Sequence, residues 1–271
     1  MSMQEDRKKA LQGALAETEN LINMFERTVR RNWDLEIPRT DFSQTAQKIL
    51  ANLEPAQETK EEIKEEKPAP AGLGDIRLSL DLAGLKKDCA SCNRCRLAQT
   101  RTNTVFGDGC EVRPDVLVVG EGPGETEDKT GLPFVGRAGE LLTKMLAAIS
   151  LNRENNCYIT NTVKCRPPEN RDPLPDEKQI CGLYVRQQIA LIRPKAILCL
   201  GKGASCMLTG EEESSMGQLR GRFFFYDNSI PLICTYHPAA VLRNPDLKRP
   251  VWEDLKKLAR FLNLGIAGER K

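Results

Sequence analysis

The chain has 271 residues, 40% of them hydrophobic and 29% charged, with a formal net charge of +2. That is enough apolar material for one ordinary domain plus an extension, or for two small domains. No apolar run approaches the ~18 residues of a membrane helix, and the opening Met-Ser-Met-Gln-Glu-Asp-Arg-Lys-Lys has no hydrophobic stretch behind it, so neither a membrane span nor a signal peptide is expected and a cytoplasmic protein is.

The small net charge conceals a split. Residues 1–75 hold 11 Lys+Arg against 15 Asp+Glu, whereas residues 76–271 hold 29 against 23. The basic part permits nucleic acid as a partner; it is equally compatible with an ordinary solvated surface.

In chain order, residues 5–33 carry Leu11, Leu15, Leu21, Ile22, Met24 and Phe25 at helical spacing. Residues 43–53 read as a second short helix. Together residues 1–53 form a helical extension, a candidate docking element for a protein partner or a weakly ordered tail. Residues 54–75, rich in Glu, Lys, Pro and Ala, have little to bury and read as a linker. Residues 76–271 then form the main domain. Strands are expected at Asp115–Gly120, Tyr158–Val163, Ala196–Leu200 and Pro231–Thr235. Helices are expected at Arg137–Ile149, at Asp176–Ile192 with Pro175 as start signal, and at Trp252–Leu262. Strands alternating with helices predict an α/β three-layer sandwich around a central parallel four-stranded sheet. Ligands of such sheets bind at the carboxyl ends of the strands. The loops after Val119, Thr160, Leu200 and Thr235 are therefore the places for chemistry.

The first of these loops reads Gly120-Glu-Gly-Pro-Gly-Glu-Thr-Glu-Asp-Lys-Thr-Gly131. It fails both phosphate signatures it superficially matches. A P-loop needs glycine before its lysine, and here Asp128 precedes Lys129; a dinucleotide loop needs Gly-x-Gly-x-x-Gly, and position 125 is Glu. Four carboxylates in eight residues would also repel phosphate. What remains is a glycine-lined wall with Glu121 at the strand end, suited to a flat neutral ligand, or a simple turn.

Ten cysteines in a reducing compartment point to metal ligation or buried thiols rather than disulfides. Cys89-x-x-Cys92-x-x-Cys95, Cys165 and Cys181 can supply a four-thiolate shell for zinc or for an iron–sulfur cluster. Spacing decides neither the metal nor which two of the first three cysteines bind. Cys110, Cys157, Cys199, Cys206 and Cys234 sit in or beside apolar segments and read as small hydrophobes. The single histidine, His237, lies at a strand end before proline. The apolar and small residues after it, followed by Arg243, Lys248 and Arg249, resemble a minor-groove wedge flanked by cations.

Taken together, Cys92-Asn-Arg-Cys95-Arg-Leu, Val105-Phe-Gly-Asp-Gly109, the loop from Gly120 through Phe134-Val-Gly136, Tyr158-Ile-Thr-Asn161, Lys164-Cys-Arg-Pro-Pro168 and His237-Pro-Ala resemble, in order, the type-4 uracil-DNA glycosylases, the iron–sulfur branch of their superfamily. The resemblance runs from about Asp88 to Leu262. It implies a 4Fe-4S cluster on Cys92, Cys95, Cys165 and Cys181, with Cys89 as an extra thiol. It implies a uracil pocket made by Gly120, Glu121, Gly122, Phe134, Asn161 and His237. Phe134 would stack on the base, Asn161 would read its N3–H and O4, and His237 would stabilise charge on O2. Glu121 would activate or orient water, support the cationic sugar, or shape the loop. Leu242 and Arg243 would contact DNA, and Arg94, Arg96, Lys164 and Arg166, beside the cluster ligands, would add cations for it. The implied activity is excision of uracil from single- or double-stranded DNA, leaving an abasic site in base-excision repair. The implied protein is a monomer associated with a prokaryotic-type nucleoid. The alternatives are a catalytically weak iron–sulfur recruitment module working through residues 1–53, and an electron carrier.

Overall fold

A computed structural model describes residues 81–268. The helical extension expected over residues 1–53 and the linker over 54–75 lie outside the described residues.

Six strands form one mixed sheet: β1 (Asp108–Gly109), β2 (Val116–Gly120), β3 (Cys157–Asn161), β4 (Ala196–Leu200), β5 (Phe223–Tyr226) and β6 (Ile230–Thr235), in the order β1-β3-β2-β4-β6-β5. The inner four are parallel, at nearly the expected positions. The expected four-stranded sheet is incomplete, because β1 and β5 add antiparallel edges. β1 has two residues and no apolar pattern to betray it. β5 does carry a signal in Phe223-Phe-Phe-Tyr226, since aromatic residues favour strands. Its hairpin to β6 turns through Asp227 and Asn228, both at positive φ (48° and 53°), and Ser229 N–H closes the turn on the Tyr226 carbonyl at 3.1 Å.

Side chains alternate across the sheet, so each inner strand feeds two cores. Val116, Val118, Ile159, Leu198 and Ile233 face one side. There they meet Leu142 and Leu146 of α3 (Arg137–Ala147), Val241 of α7 (Pro238–Arg243), and Val251, Leu255 and Leu258 of α8 (Lys248–Phe261). Leu117, Val119, Tyr158, Ile197 and Leu232 face the other side. They meet Val185, Ile189 and Ile192 of α4 (Pro175–Ile192), and Ala204 and Leu208 of α5 (Gly201–Thr209). Cys157, Cys199 and Cys234 are buried within these cores as small hydrophobes, whereas Cys110 and Cys206 are only partly buried. No helix among the described residues is long and apolar enough to cross a membrane.

A third, smaller core lies at the edge, where α1 (Leu82–Ala90) packs near α4. Short helices α2 (Glu125–Thr130) and α6 (Met216–Leu219) and three 3-10 turns (Arg96–Gln99, Pro168–Asn170 and Pro245–Leu247) complete the described elements. Parallel strands deliver their carboxyl ends to the same rim, so Gly120, Asn161, Gly201 and the residues after Thr235 come together.

Candidate active site

At this rim β2 and β3 pair in the register Gly120↔Asn161. There is no room for a side chain at Gly120: a Cβ there would lie 2.4 Å from Asn161 Oδ1 and 2.5 Å from Phe134 Cζ. Glycine is what lets the amide and the ring share one wall. Phe134 is 6% exposed and sits at φ 53°, a conformation that costs a non-glycine residue roughly 1–3 kcal/mol. The surroundings hold it there. Arg153, paired with Asp108 at 3.1 Å, donates to the Pro133 and Phe134 carbonyls at 3.2 and 3.1 Å. Gly139 of α3 lets the Phe134 carbonyl approach, for a Cβ there would meet its oxygen at 1.9 Å. The ring faces His237, with centroids 5.6 Å apart and planes tilted by 33°.

His237 caps the N-terminus of α7. Its Nδ1 accepts the Ala239 N–H at 3.1 Å. A nitrogen that accepts carries no proton, so the neutral ring must hold its proton on Nε2. Burial, helped by the nearby Arg243 and opposed by Glu127, lowers the His237 pKa to about 4. At neutral pH the residue is therefore an uncharged Nε2–H donor. Asn161 is 1% exposed. Among the described residues its Oδ1 is the buried side-chain polar atom without a hydrogen-bond partner. Such atoms cost free energy unless something satisfies them, and they often mark a ligand position.

Glu121 stands at the mouth of the glycine loop. Its carboxylate lies 2.8 Å from Lys178 Nζ of α4. It also rests against Gly203, where a Cβ would be 2.0 Å from Oε1. Its main-chain carbonyl accepts from Thr162 Oγ1 at 2.5 Å and Val163 N at 3.1 Å, which laces the loop to the chain beyond β3. The rim forms an open cleft with a cavity volume of about 440 Å³. Glu121, Gly122, Phe134, Asn161, His237 and Arg243 all line it. Of the expected residues, Gly120 sits behind this wall and Leu242 outside it, 44% exposed on α7. Val241, beside it on α7, turns into the core at 2% exposure.

Sequence reasoning missed the residues that build this rim through backbone contacts. Glu127 is the chief one. Its Oε1 accepts from Val135 N and Gly136 N at 2.9 and 2.8 Å, and its Oε2 from Gly124 N at 3.2 Å. It thereby staples the glycine loop to the Phe134 loop. The available signal was its place at the third position of a helix opened by Gly124, where a Glu reaches back to the cap. Arg171 does similar work, gripping Glu177 through two hydrogen bonds of 2.8 and 2.7 Å and fixing the proline-rich loop beside the cavity.

Cys89, Cys92 and Cys95, Cys165 after β3 and Cys181 of α4 gather in the third core. Cys89, Cys165 and Cys181 are buried within it, and Cys92 and Cys95 pack against it. Arg101 Nη1 and the Lys164 N–H each point at a sulfur, at 3.2 Å from Cys165 Sγ and Cys181 Sγ respectively. Burial raises the thiol of Cys89 to about 12 and also raises those of Cys95, Cys165 and Cys181. A metal taken up here must displace protons. Several thiols in one apolar pocket, with N–H groups aimed at two of them, form a donor set that fits a thiolate-held metal group. Among the described residues, no three His, Cys, Asp or Glu side chains close on a single ion. The cations expected beside the ligands are mostly engaged: Arg96 pairs with Asp176 at 2.7 Å, Arg94 donates to the Tyr184 hydroxyl at 2.8 Å, and Lys164 is 1% exposed. Lys164 therefore cannot offer its charge to a nucleic acid, contrary to the sequence expectation.

The family profile of the uracil DNA glycosylase superfamily matches residues 106–256. A type-4 uracil-DNA glycosylase of Sulfurisphaera tokodaii is 44% identical over 183 residues, covering 65% of this chain and 83% of the relative. The chain belongs to the type-4 branch of this superfamily. A type-4 uracil-DNA glycosylase of Archaeoglobus fulgidus is 43% identical over 66% of this chain and 92% of its own length. Another, of Thermotoga maritima, is 43% identical over 63% and 89%. The profile spans the glycine loop, Phe134, Asn161, Cys165, Cys181 and His237. The matched span therefore includes the residues that line the cavity.

Proposed function

We propose that the chain is a uracil-DNA glycosylase: it takes uracil flipped out of DNA into the cavity, hydrolyses the N-glycosidic bond and leaves an abasic site. The unsatisfied Asn161 Oδ1, buried at the rim of a cavity that His237 also lines, carries this reading. Uracil N3–H would satisfy that oxygen, and the Asn161 amide would donate to O4. Cytosine has an acceptor at N3 and a donor at the 4-position, the reverse pattern, and would leave both groups opposed. Sites built on such pairs discriminate by roughly 10⁴-fold.

Extrusion of a base costs a few kcal/mol, least in a mismatch or a single strand. Phe134 offers the flipped ring a face, while exposed Leu242 and Arg243 on α7 suit contact with the strand it leaves. As the bond breaks, the sugar becomes cationic and uracil takes up negative charge, chiefly at O2. A neutral Nε2–H held at this rim can stabilise that charge by donating a hydrogen bond. Glu121, paired with Lys178 at 2.8 Å, is the candidate to orient water or support the cationic sugar. When bound, an iron–sulfur cluster on Cys92, Cys95, Cys165 and Cys181 would supply a charged cross-link between the segment before β1 and α4. Cys89, in the same pocket, is the alternative donor.

The test is release of free uracil from single- and double-stranded oligonucleotides carrying uracil, with hypoxanthine and xanthine as comparisons. Metal-loaded protein that leaves uracil DNA intact would refute the reading. Two variants sharpen it. Gly120→Ala drives a methyl group into Asn161 and Phe134, and is expected to cut release by about 10²-fold, the cost of ångström-scale misplacement. Leu242→Ala is expected to slow release from duplex more than from single strands, because only the duplex requires a wedge; equal losses on both would remove Leu242 from that role.

A further inference from the structure

Lys164 is 1% exposed, and a lysine is almost never fully buried without a charged partner. Its ammonium donates to Thr160 Oγ1 at 2.5 Å, to the Asn161 carbonyl at 2.8 Å and to Gln188 Oε1 at 2.7 Å. All three N–H bonds are used, and every acceptor is neutral. Thr160 Oγ1 and Gln188 Nε2 in turn donate to the Phe106 carbonyl at 2.8 and 2.9 Å, so the network is anchored on two sides. The same residue's main-chain N–H donates to Cys181 Sγ at 3.2 Å. The sulfurs of Cys181, Cys89 and Cys165 lie within electrostatic reach of its ammonium, and only as thiolates would they offer it opposite charge. One residue therefore touches the peptide that aims Asn161 and the sulfur that would bind metal.

We infer that Lys164 is a positioning residue that couples the cysteine-held metal group to the uracil-reading Asn161. The inference rests on the uracil reading of the cavity. Thiolates bound to metal give the buried ammonium its counter-charge. The ammonium in turn holds the Asn161 carbonyl, and with it the orientation of the amide side chain. Coupling of this kind is reciprocal: a ligand on Asn161 must change the hold on the metal, as the metal changes the hold on the ligand.

The experiment follows metal loss from the protein as purified, under anaerobic conditions, to an excess of chelator, with and without saturating free uracil. Uracil binding is measured separately by equilibrium dialysis. In the wild-type protein, bound uracil is expected to slow metal release by about fivefold or more, the lower range of site-to-site coupling. In Lys164→Met that protection is expected to vanish. Lys164→Gln keeps an amide donor for Asn161 but removes the charge; it too is expected to lose protection, and it carries the test should the methionine variant not fold. Equal protection in wild type and variants would overturn the inference, as would wild-type protein that binds uracil without any change in metal release, or that holds no metal. Wild-type protein that binds no uracil would overturn the reading of the cavity itself, and this inference with it.

Discussion

Replacing Asn161 with alanine is expected to lower kcat/KM for uracil release by about 10³-fold or more, with little change in thermal stability. The loss follows from two interactions with the base edge, one at N3–H and one at O4, in a site from which water is displaced. Removing one such donor or acceptor from an enclosed pocket costs on the order of 10²-fold or more. Stability should hold because Asn161 Oδ1 has no partner within the described structure; its removal deletes an unsatisfied polar atom rather than a bond. Asn161→Asp makes the sharper comparison. It keeps the shape and the acceptor but replaces the donor with a second oxygen facing O4, so release of uracil should fall nearly as far. Single-turnover kinetics on a single-stranded substrate, with thermal melts of the same preparations, check both. An alanine variant that retained more than a tenth of wild-type kcat/KM would remove Asn161 from base recognition.

His237→Ala is expected to reduce kcat by about 10²- to 10³-fold while KM changes little, because charge on uracil O2 appears only as the bond breaks. His237→Gln, which retains an N–H donor, should recover part of the loss. The pH behaviour follows from the lowered pKa of about 4. Rate profiles should show no histidine titration near 6.5, since the donor is already neutral throughout pH 5–8. Stability carries the same residue's signature. The unfolded chain takes up this proton near pH 6.5, whereas the folded chain does so only near 4. The unfolded state thus binds more protons across that window, and stability falls as pH drops through it. Above pH 6.5 the contribution is fully present. Urea titrations at pH 7.5 and 5 should show this loss in wild type and a smaller one in His237→Ala.

Much of this site was legible in the sequence because parallel strands announce themselves and ligands gather at their ends. Val116–Val119 and Ala196–Leu200 are apolar on both faces of the sheet, as buried parallel strands must be. Once those strands were placed, Glu121, Asn161 and His237 had to share a rim. Phe134 was not accessible that way: it lies in a loop, and only its family resemblance singled it out. The edge strands were missed for different reasons: β1 is too short to show a pattern, and β5 offers only its aromatic run, without alternation. Arg153 could not be read at all, and of Glu127 only its capping of the helix opened by Gly124 was legible, since both act on main-chain N–H and carbonyl groups that the fold alone brings near them. Lys164 was misread because a lysine between cysteine and strand looks like surface charge; its three neutral acceptors come from Thr160, Asn161 and Gln188, the last 24 residues away.

Stabilisation of the leaving base depends on a neutral His237 that presents Nε2–H to it. With one histidine in the sequence, ¹⁵N NMR of untagged protein labelled at histidine reads this state without assignment. A neutral ring with protonated Nε2 and bare Nδ1 is expected from pH 5 to 8, with the Nε2–H resonance shifting when free uracil is added. An imidazolium at neutral pH, a proton on Nδ1, or an Nε2–H indifferent to bound uracil would contradict it.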